Sequence, residues 1–153
     1  MKIEELKGLL QIDKNNLDEA VQRQPVLYYM VAQKHALALS QRDEAYDRIK
    51  TVDAELSLDL REDFGEKGIK FTEGTIQAAI LDHPDHKAAV KDHNHLKYVC
   101  DELMALKESY SQRSYMLREL VELYVSGYYG SDNVVAKGKK PNARLRSVSN
   151  EKV

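Results

Sequence analysis

Residues 107–120, KESYSQRSYMLREL, lie in the longest helical pattern of the chain and contain one residue that departs from it. Side chains on this pattern recur at alternating intervals of three and four, as on a helix packed against other helices. We call this row of side chains the seam. It comprises Leu96, Val99, Leu103, Leu106, Tyr110, Arg113, Leu117, Leu120 and Tyr124. The pattern therefore predicts a long packed helix in which a charged residue, Arg113, takes an apolar position.

Composition favours an all-α fold with one domain and a tail. At 153 residues the chain has the length of a single domain. Trp is absent, Pro is scarce, and residues with high helix propensity are abundant. We therefore expect a helical domain over residues 1–130 and a separate tail over residues 131–153.

The first half of the chain is predicted to hold two short helices and one long helix. Residues 3–10 form the first of them. Asn16 begins a capping box, so a second short helix starts there and ends before Pro25, which disfavours helix in the residue preceding it. From Val26 the apolar repeat continues without Gly or Pro until Gly65, a helix of about 58 Å.

The second half is predicted to hold a short helix and the seam helix. Gly65 and Gly68 are the turn residues, and Thr72 caps the short helix. The seam helix then begins at a cap on Asp82 or His83, followed by a proline in its first turn, and ends at Ser126 because a glycine follows. The expected architecture is two long antiparallel helices joined by a short one, with two short helices in front.

The apolar stripes of both long helices are wider than one seam. Met104, Met116 and Val121 widen the stripe of the second helix, and the first helix is similar. A single pair of helices cannot bury such stripes, so further helices should cover them. We expect a homo-oligomer built as a helical bundle or coiled coil.

The histidine-rich segment DHPDHKAAVKDHNH, residues 82–95, is the nearest approach to a metal site. His83 and His86 share a helix face, but no glutamate base stands as in HExxH. The acidic residues equally suit a helix first turn and a solvated face. No nucleotide or hydrolase motif is present, and the lone Cys100 lies beside the seam, where burial is expected. We expect no metal, no cofactor and no enzymatic activity.

The tail is basic although the whole chain carries a net charge of −2. Six basic and two acidic side chains give residues 131–153 a net charge of +4, which leaves −6 on the remainder. The tail has no periodicity and is expected to be disordered. It could contact phosphates or serve only to solubilise the chain. The candidate nucleic-acid-binding residues are Lys137, Lys139, Lys140, Arg144 and Arg146, with Lys67 and Lys70 in the helical loop.

Arg113 needs either an acceptor or a route to solvent. If the long helices pair symmetrically about the FGEKG loop, Arg113 lies near His35, in a segment without a carboxylate. The remaining acceptors are Asp18 or Glu19, a carboxylate of another subunit, or a ligand phosphate. Structural pairing is favoured over a phosphate, and the alternative is an arginine that extends along the surface into solvent.

The chain resembles the phage recombination mediator family typified by the UvsY protein. The resemblance lies in the order and length of segments over residues 1–129. These segments are a short acidic helix before QIDKNNLDEA, a long helix entered at PVLYYMVAQKH, an interruption at GIKFTEGTIQAAI, and a final helix containing SQRSYMLREL.

The resemblance implies a ring-like homo-oligomer that binds single-stranded DNA and assists recombinase loading. It also implies contacts with the single-strand-binding protein and the recombinase in a cytoplasmic, membrane-free setting. In the family a basic stretch near the end of the first long helix is implicated in DNA contact. The corresponding residues 53–63, DAELSLDLRED, are mostly acidic, so Lys67, Lys70 and the tail are the expected DNA contacts.

Overall fold

A computed structural model describes residues 2–128 of the chain, which form four α-helices and no strand. The predicted all-α fold with two long antiparallel helices is confirmed over this range. The predicted tail and the domain boundary before it lie outside the described residues. The helices are α1, Ile3–Gly8; α2, Leu17–Glu66; α3, Glu73–Asp82; and α4, Pro84–Val125.

Helix α2 runs without a break through Pro25, so the predicted boundary at this proline was wrong. The helix also includes Gly65 and ends at Glu66, so of the two predicted turn glycines only Gly68 lies in the turn. The 50 residues of α2 give a length of about 75 Å. Proline removes one backbone donor and costs about 3 kcal/mol in a helix interior. Packing on both sides of it offsets this cost, because Gln24 and Leu27 are both buried against other helices.

The chain reverses direction at Gly68, and this turn determines which residues of α2 lie opposite which residues of α4. Gly68 has a φ of 64°, a left-handed conformation that glycine adopts without a Cβ clash. Asp53 meets His86 and Gln24 meets Arg113 across the hairpin. The expected position of Arg113 near His35 was therefore wrong. Helix α3 packs along α2 in the same way as α4 and does not form a separate connection between the two long helices.

Helix α3 begins and ends where local signals place it. The Thr72 hydroxyl accepts the backbone N–H of Thr75, which confirms the predicted N-cap. Ile76 and Ile80 pack on Leu56 of α2 and form a buried cluster near the turn. Helix α4 follows at once, capped by His83 with Pro84 in its first turn.

The predicted seam of α4 is buried only as far as Leu117. Leu103, Leu106, Tyr110, Arg113 and Leu117 are buried, whereas Tyr124 is 64% exposed. In the observed register the last turns of α4 extend past the start of α2 and have no helix opposite them. The expectation that the seam packs along its whole length was therefore wrong at its end.

Candidate functional site

The open end of the hairpin is the place where three helices meet. The α1 residue Leu6 is fully buried between Leu27 and Val31 of α2 and Leu106 and Tyr110 of α4. On the surface above them, Lys7 of α1 forms a 2.7 Å ion pair with Glu102 of α4, and this hydrogen bond raises the pKa of Lys7. Helix α1 therefore forms a third layer over one end of the two-helix hairpin.

A chain of buried hydrogen bonds fastens this third layer. Arg113 Nε donates to the Leu10 carbonyl at 3.1 Å, and Arg113 Nη1 donates to Gln24 Oε1 at 2.5 Å. Gln24 Nε2 in turn donates to the Tyr110 carbonyl at 2.6 Å. The Tyr110 hydroxyl donates to the Leu6 carbonyl at 2.7 Å. Two of the acceptors are backbone carbonyls near the start of the chain, that of Leu6 in α1 and that of Leu10 two residues after α1.

The acceptors of Arg113 differ from those expected. Arg113 is only 7% exposed, which excludes an extended, solvated side chain. Asp18 and Glu19 form no hydrogen bond or ion pair with Arg113. Its acceptors are a backbone carbonyl and a neutral amide, so no carboxylate among residues 2–128 lies within hydrogen-bonding distance to neutralise its charge. Burial lowers the pKa of Arg113, and the nearby Arg23 guanidinium acts in the same direction.

An open cavity of about 230 Å³ adjoins the Arg113 side chain. Its wall is built from the segment after α1, the first three turns of α2 and one position of α4. Both arginines of this region line it. The lining residues are Leu9, Gln11, Asp13, Asn16, Glu19, Ala20, Arg23, Leu27 and Arg113.

Gln24 is the residue of this site that sequence reasoning missed. It lies three residues before Leu27 and seven before Val31, both of which are buried. This spacing continues the core face of α2 through Pro25. The prediction that the helix breaks at Pro25 placed Gln24 at a helix end, so its place on the core face was overlooked.

Of the predicted basic residues, Lys67 and Lys70 lie in the described part of the chain. Lys67 is paired with Asp63 of the preceding turn at 2.6 Å. Lys70 is exposed in the loop that precedes α3. The five predicted tail residues, Lys137, Lys139, Lys140, Arg144 and Arg146, lie outside the described residues.

Beyond α1, the groove between α2 and α4 is open and mostly acidic. Two adjoining cavities of about 480 and 280 Å³ lie there, and both are lined by Arg48, Ala89 and Asp92. The acidic residues that line one or both of them are Glu44, Glu55, Asp59, Asp85 and Asp92. A phosphate backbone would be repelled by this part of the surface.

The histidine-rich segment has structural partners. His83 caps α4, and His86 Nδ1 lies 2.6 Å from Asp53 Oδ1 on α2. Among residues 2–128, no group of three or more His, Cys, Asp and Glu side chains could hold a metal ion. Cys100 is buried in the core, and burial raises the pKa of its thiol, so this sulfur is not prepared to act as a nucleophile.

Comparisons with known proteins give no further assignment. No family model, no curated protein and no solved structure matches the chain. None of the helices described over residues 2–128 combines the length and the hydropathy needed to cross a membrane.

Proposed function

We propose that this chain is a non-enzymatic recombination mediator or single-stranded DNA-binding accessory protein that assembles through its helices and binds the strand with its basic tails. The observation that carries the assembly step is the apolar surface on the outer faces of both long helices. Val26, Leu37 and Leu58 on α2 are 60, 61 and 69% exposed. At 100° per residue Val26 and Leu37 fall within about 20° of each other with the half-buried Met30 between them, so they form one stripe on the first part of α2. Leu58 lies farther along the same side of the helix, beyond Glu44 and Glu55.

Helix α4 carries a comparable outer stripe. Tyr98, Met116 and Leu123 are exposed and lie within about 20° of one another around the helix. A monomer seldom leaves contiguous apolar surfaces of this kind in water. Further copies of the chain, arranged in a homo-oligomer, would cover both stripes.

The charge distribution supports binding through the tail. The tail carries +4 and the remainder −6, so phosphates are attracted to one end of each chain and repelled by the acidic groove. An oligomer would present several tails to one strand, and avidity would raise the affinity of individually weak contacts. Protein contacts would then pass the strand to a recombinase.

The test is a fluorescence anisotropy titration of labelled single-stranded DNA with the full chain and with a chain lacking residues 131–153. The full chain should bind, and its affinity should fall with salt with a logarithmic slope of about −4 if all six basic side chains contact phosphates. The shortened chain should lose most of this affinity. A Lys67→Gln, Lys70→Gln variant is the control for the loop and should change affinity less. Equal binding without the tail would refute the proposed mechanism.

A second candidate is a helical interaction module that binds only protein. The acidic groove beside Arg48 and the ion pair that occupies Lys67 favour it. A basic segment of a partner protein would suit that groove. Absence of strand binding at low salt, together with a stable oligomer in light scattering, would favour this candidate over the first.

A further inference from the structure

The guanidinium of Arg113 has donors that the protein does not use. Of its five N–H groups, one on Nε and one on Nη1 are bonded, which leaves one on Nη1 and both on Nη2. No fully buried side-chain nitrogen or oxygen within residues 2–128 lacks a partner. Nη2 must therefore reach solvent although the side chain is more than nine-tenths buried, and the cavity that Arg113 lines is the route.

The first turn of α2, from which Asn16 and Glu19 line the same cavity, has unused backbone donors. Asn16 occupies the N-cap position, but its side chain makes no capping hydrogen bond and its Nδ2 donates to Glu19. The backbone N–H groups of Leu17, Asp18 and Glu19 have no acceptor within residues 2–128. The positive end of the helix dipole is thus free of a cap beside the arginine.

The carboxylates that line the cavity are already engaged. Glu19 accepts Asn16 Nδ2 on one oxygen and Arg23 Nη1 on the other. Asp13 accepts the Asn15 backbone N–H at 2.9 Å. Neither forms an ion pair with Arg113, so its positive charge is not paired with either acid.

We propose that this cavity is a binding site for a small oxyanion of the phosphate class. A phosphate group has enough oxygens to accept the three unused N–H groups of Arg113 together with backbone donors of the α2 first turn. Its negative charge would offset the repulsion between Arg113 and Arg23. The proposal uses no residue of the basic tail, and it holds whether or not the tail binds DNA.

The experiment measures thermal unfolding of the full chain while inorganic phosphate replaces chloride at constant ionic strength. A ligand that binds only the folded chain raises Tm, by about 3–5 °C at ten times its dissociation constant for a chain of this size. The same titration with acetate distinguishes phosphate from a carboxylate. No rise above the chloride control, or an equal rise with acetate, would overturn the proposal.

Two variants locate the effect, and a third controls for loss of charge. Arg23→Gln removes a half-exposed side chain from the cavity mouth, and loss of one charged contact should weaken phosphate binding about tenfold. Arg113→Gln should abolish the rise in Tm. Arg118→Gln removes an exposed arginine of α4 that pairs with Glu122 and should leave the rise unchanged. An undiminished rise in Arg23→Gln would overturn the proposal even if Arg113→Gln does not fold.

A final comparison identifies the source of the phosphate. A short 5′-phosphorylated oligonucleotide that raises Tm in an Arg23-dependent manner would assign the site to a nucleic-acid phosphate. A rise with inorganic phosphate alone would assign it to the free ion. Either result supports the oxyanion site, and deletion of the tail tests strand binding independently of it.

Discussion

The Tyr110 hydroxyl connects the core of the hairpin to α1. It is attached to a fully buried ring and donates to the Leu6 carbonyl at 2.7 Å. The Leu6 carbonyl also accepts the Leu9 backbone N–H at 3.2 Å, so removing the Tyr110 hydroxyl costs one buried hydrogen bond and leaves no carbonyl unpaired. Together with the bonds of Arg113 and Gln24, the Tyr110 bond holds a six-residue helix that would be too short to be stable alone.

Tyr110→Phe should lower the free energy of unfolding by about 1 kcal/mol. The aromatic ring stays in place, so the change removes one hydrogen bond and no packing. Denaturant unfolding measures the loss, and amide hydrogen exchange should report its main effect in α1.

Tyr98→Phe is the matched control because Tyr98 is 63% exposed on the same helix. It should leave stability unchanged. If the two variants were equally stable, the Tyr110 hydroxyl would not hold α1 in place.

Arg113 also shows how far a sequence identifies a single residue. Its place on the seam was evident from the spacing of its apolar neighbours, and it is indeed buried. Its acceptors were not evident, because the Leu10 carbonyl carries no signature in the side-chain sequence and Gln24 was assigned to a helix end. Only the fold places these groups beside the guanidinium.

At the scale of the elements, Pro25 lies inside α2 although proline has a low helix propensity. Replacing it shows how much stability packing supplies against that propensity. Pro25→Ala restores a backbone donor inside α2 and removes the clash of the proline ring with the preceding turn. We expect the variant to gain about 1–3 kcal/mol in unfolding free energy, because Gln24 and Leu27 already hold the flanking turns in helical geometry.

Chemical denaturation with circular dichroism measures this gain. A loss of stability would mean that the proline bends α2 in a way that the contact between Gln24 and Tyr110 requires. In that case the proline would be a structural determinant of the register.

The two glycines near the turn should respond to alanine in opposite directions. Gly68 has a φ of 64°, and Gly68→Ala should cost about 1 kcal/mol through backbone strain. Gly65 lies inside α2, and a Cβ there would meet no atom within 4 Å, so Gly65→Ala should gain about 0.5 kcal/mol.

Thermal unfolding of the two variants side by side provides the measurement, and each serves as the control for the other. If both variants shifted Tm in the same direction, Gly68 would not be the residue at which the chain reverses.

Element boundaries were predictable where the signal was local. Thr72 caps α3, Pro84 opens α4, and Gly127 follows its end with a φ of 71°. The pairing of the long helices was not predictable in the same way. It depends on whether α3 connects the two long helices or packs along α2 as α4 does. The packing of Ile76 and Ile80 on Leu56 decides this.

At the scale of the whole molecule, the hairpin is covered on only part of its surface. Helix α1 covers the groove between α2 and α4 at one end, and the groove beyond it is open and acidic. The two outer stripes are apolar. The sequence predicted stripes too wide for one pair of helices, but the faces that remain uncovered depend on where α1 packs.

We expect the chain to self-associate through the outer stripe of α4. Met116 is 55% exposed and shares this stripe with Leu123. If the stripe is an interface, Met116→Glu should lower the mass in solution toward the 17.5 kDa of a single chain, because burying an unpaired carboxylate costs several kcal/mol. Light scattering measures the mass with and without single-stranded DNA. Ser114→Glu, which adds the same charge at an exposed polar position about 160° around α4 from Met116, should leave the mass unchanged. A wild-type mass of 17.5 kDa at every concentration would contradict assembly and leave the stripes without a function in self-association.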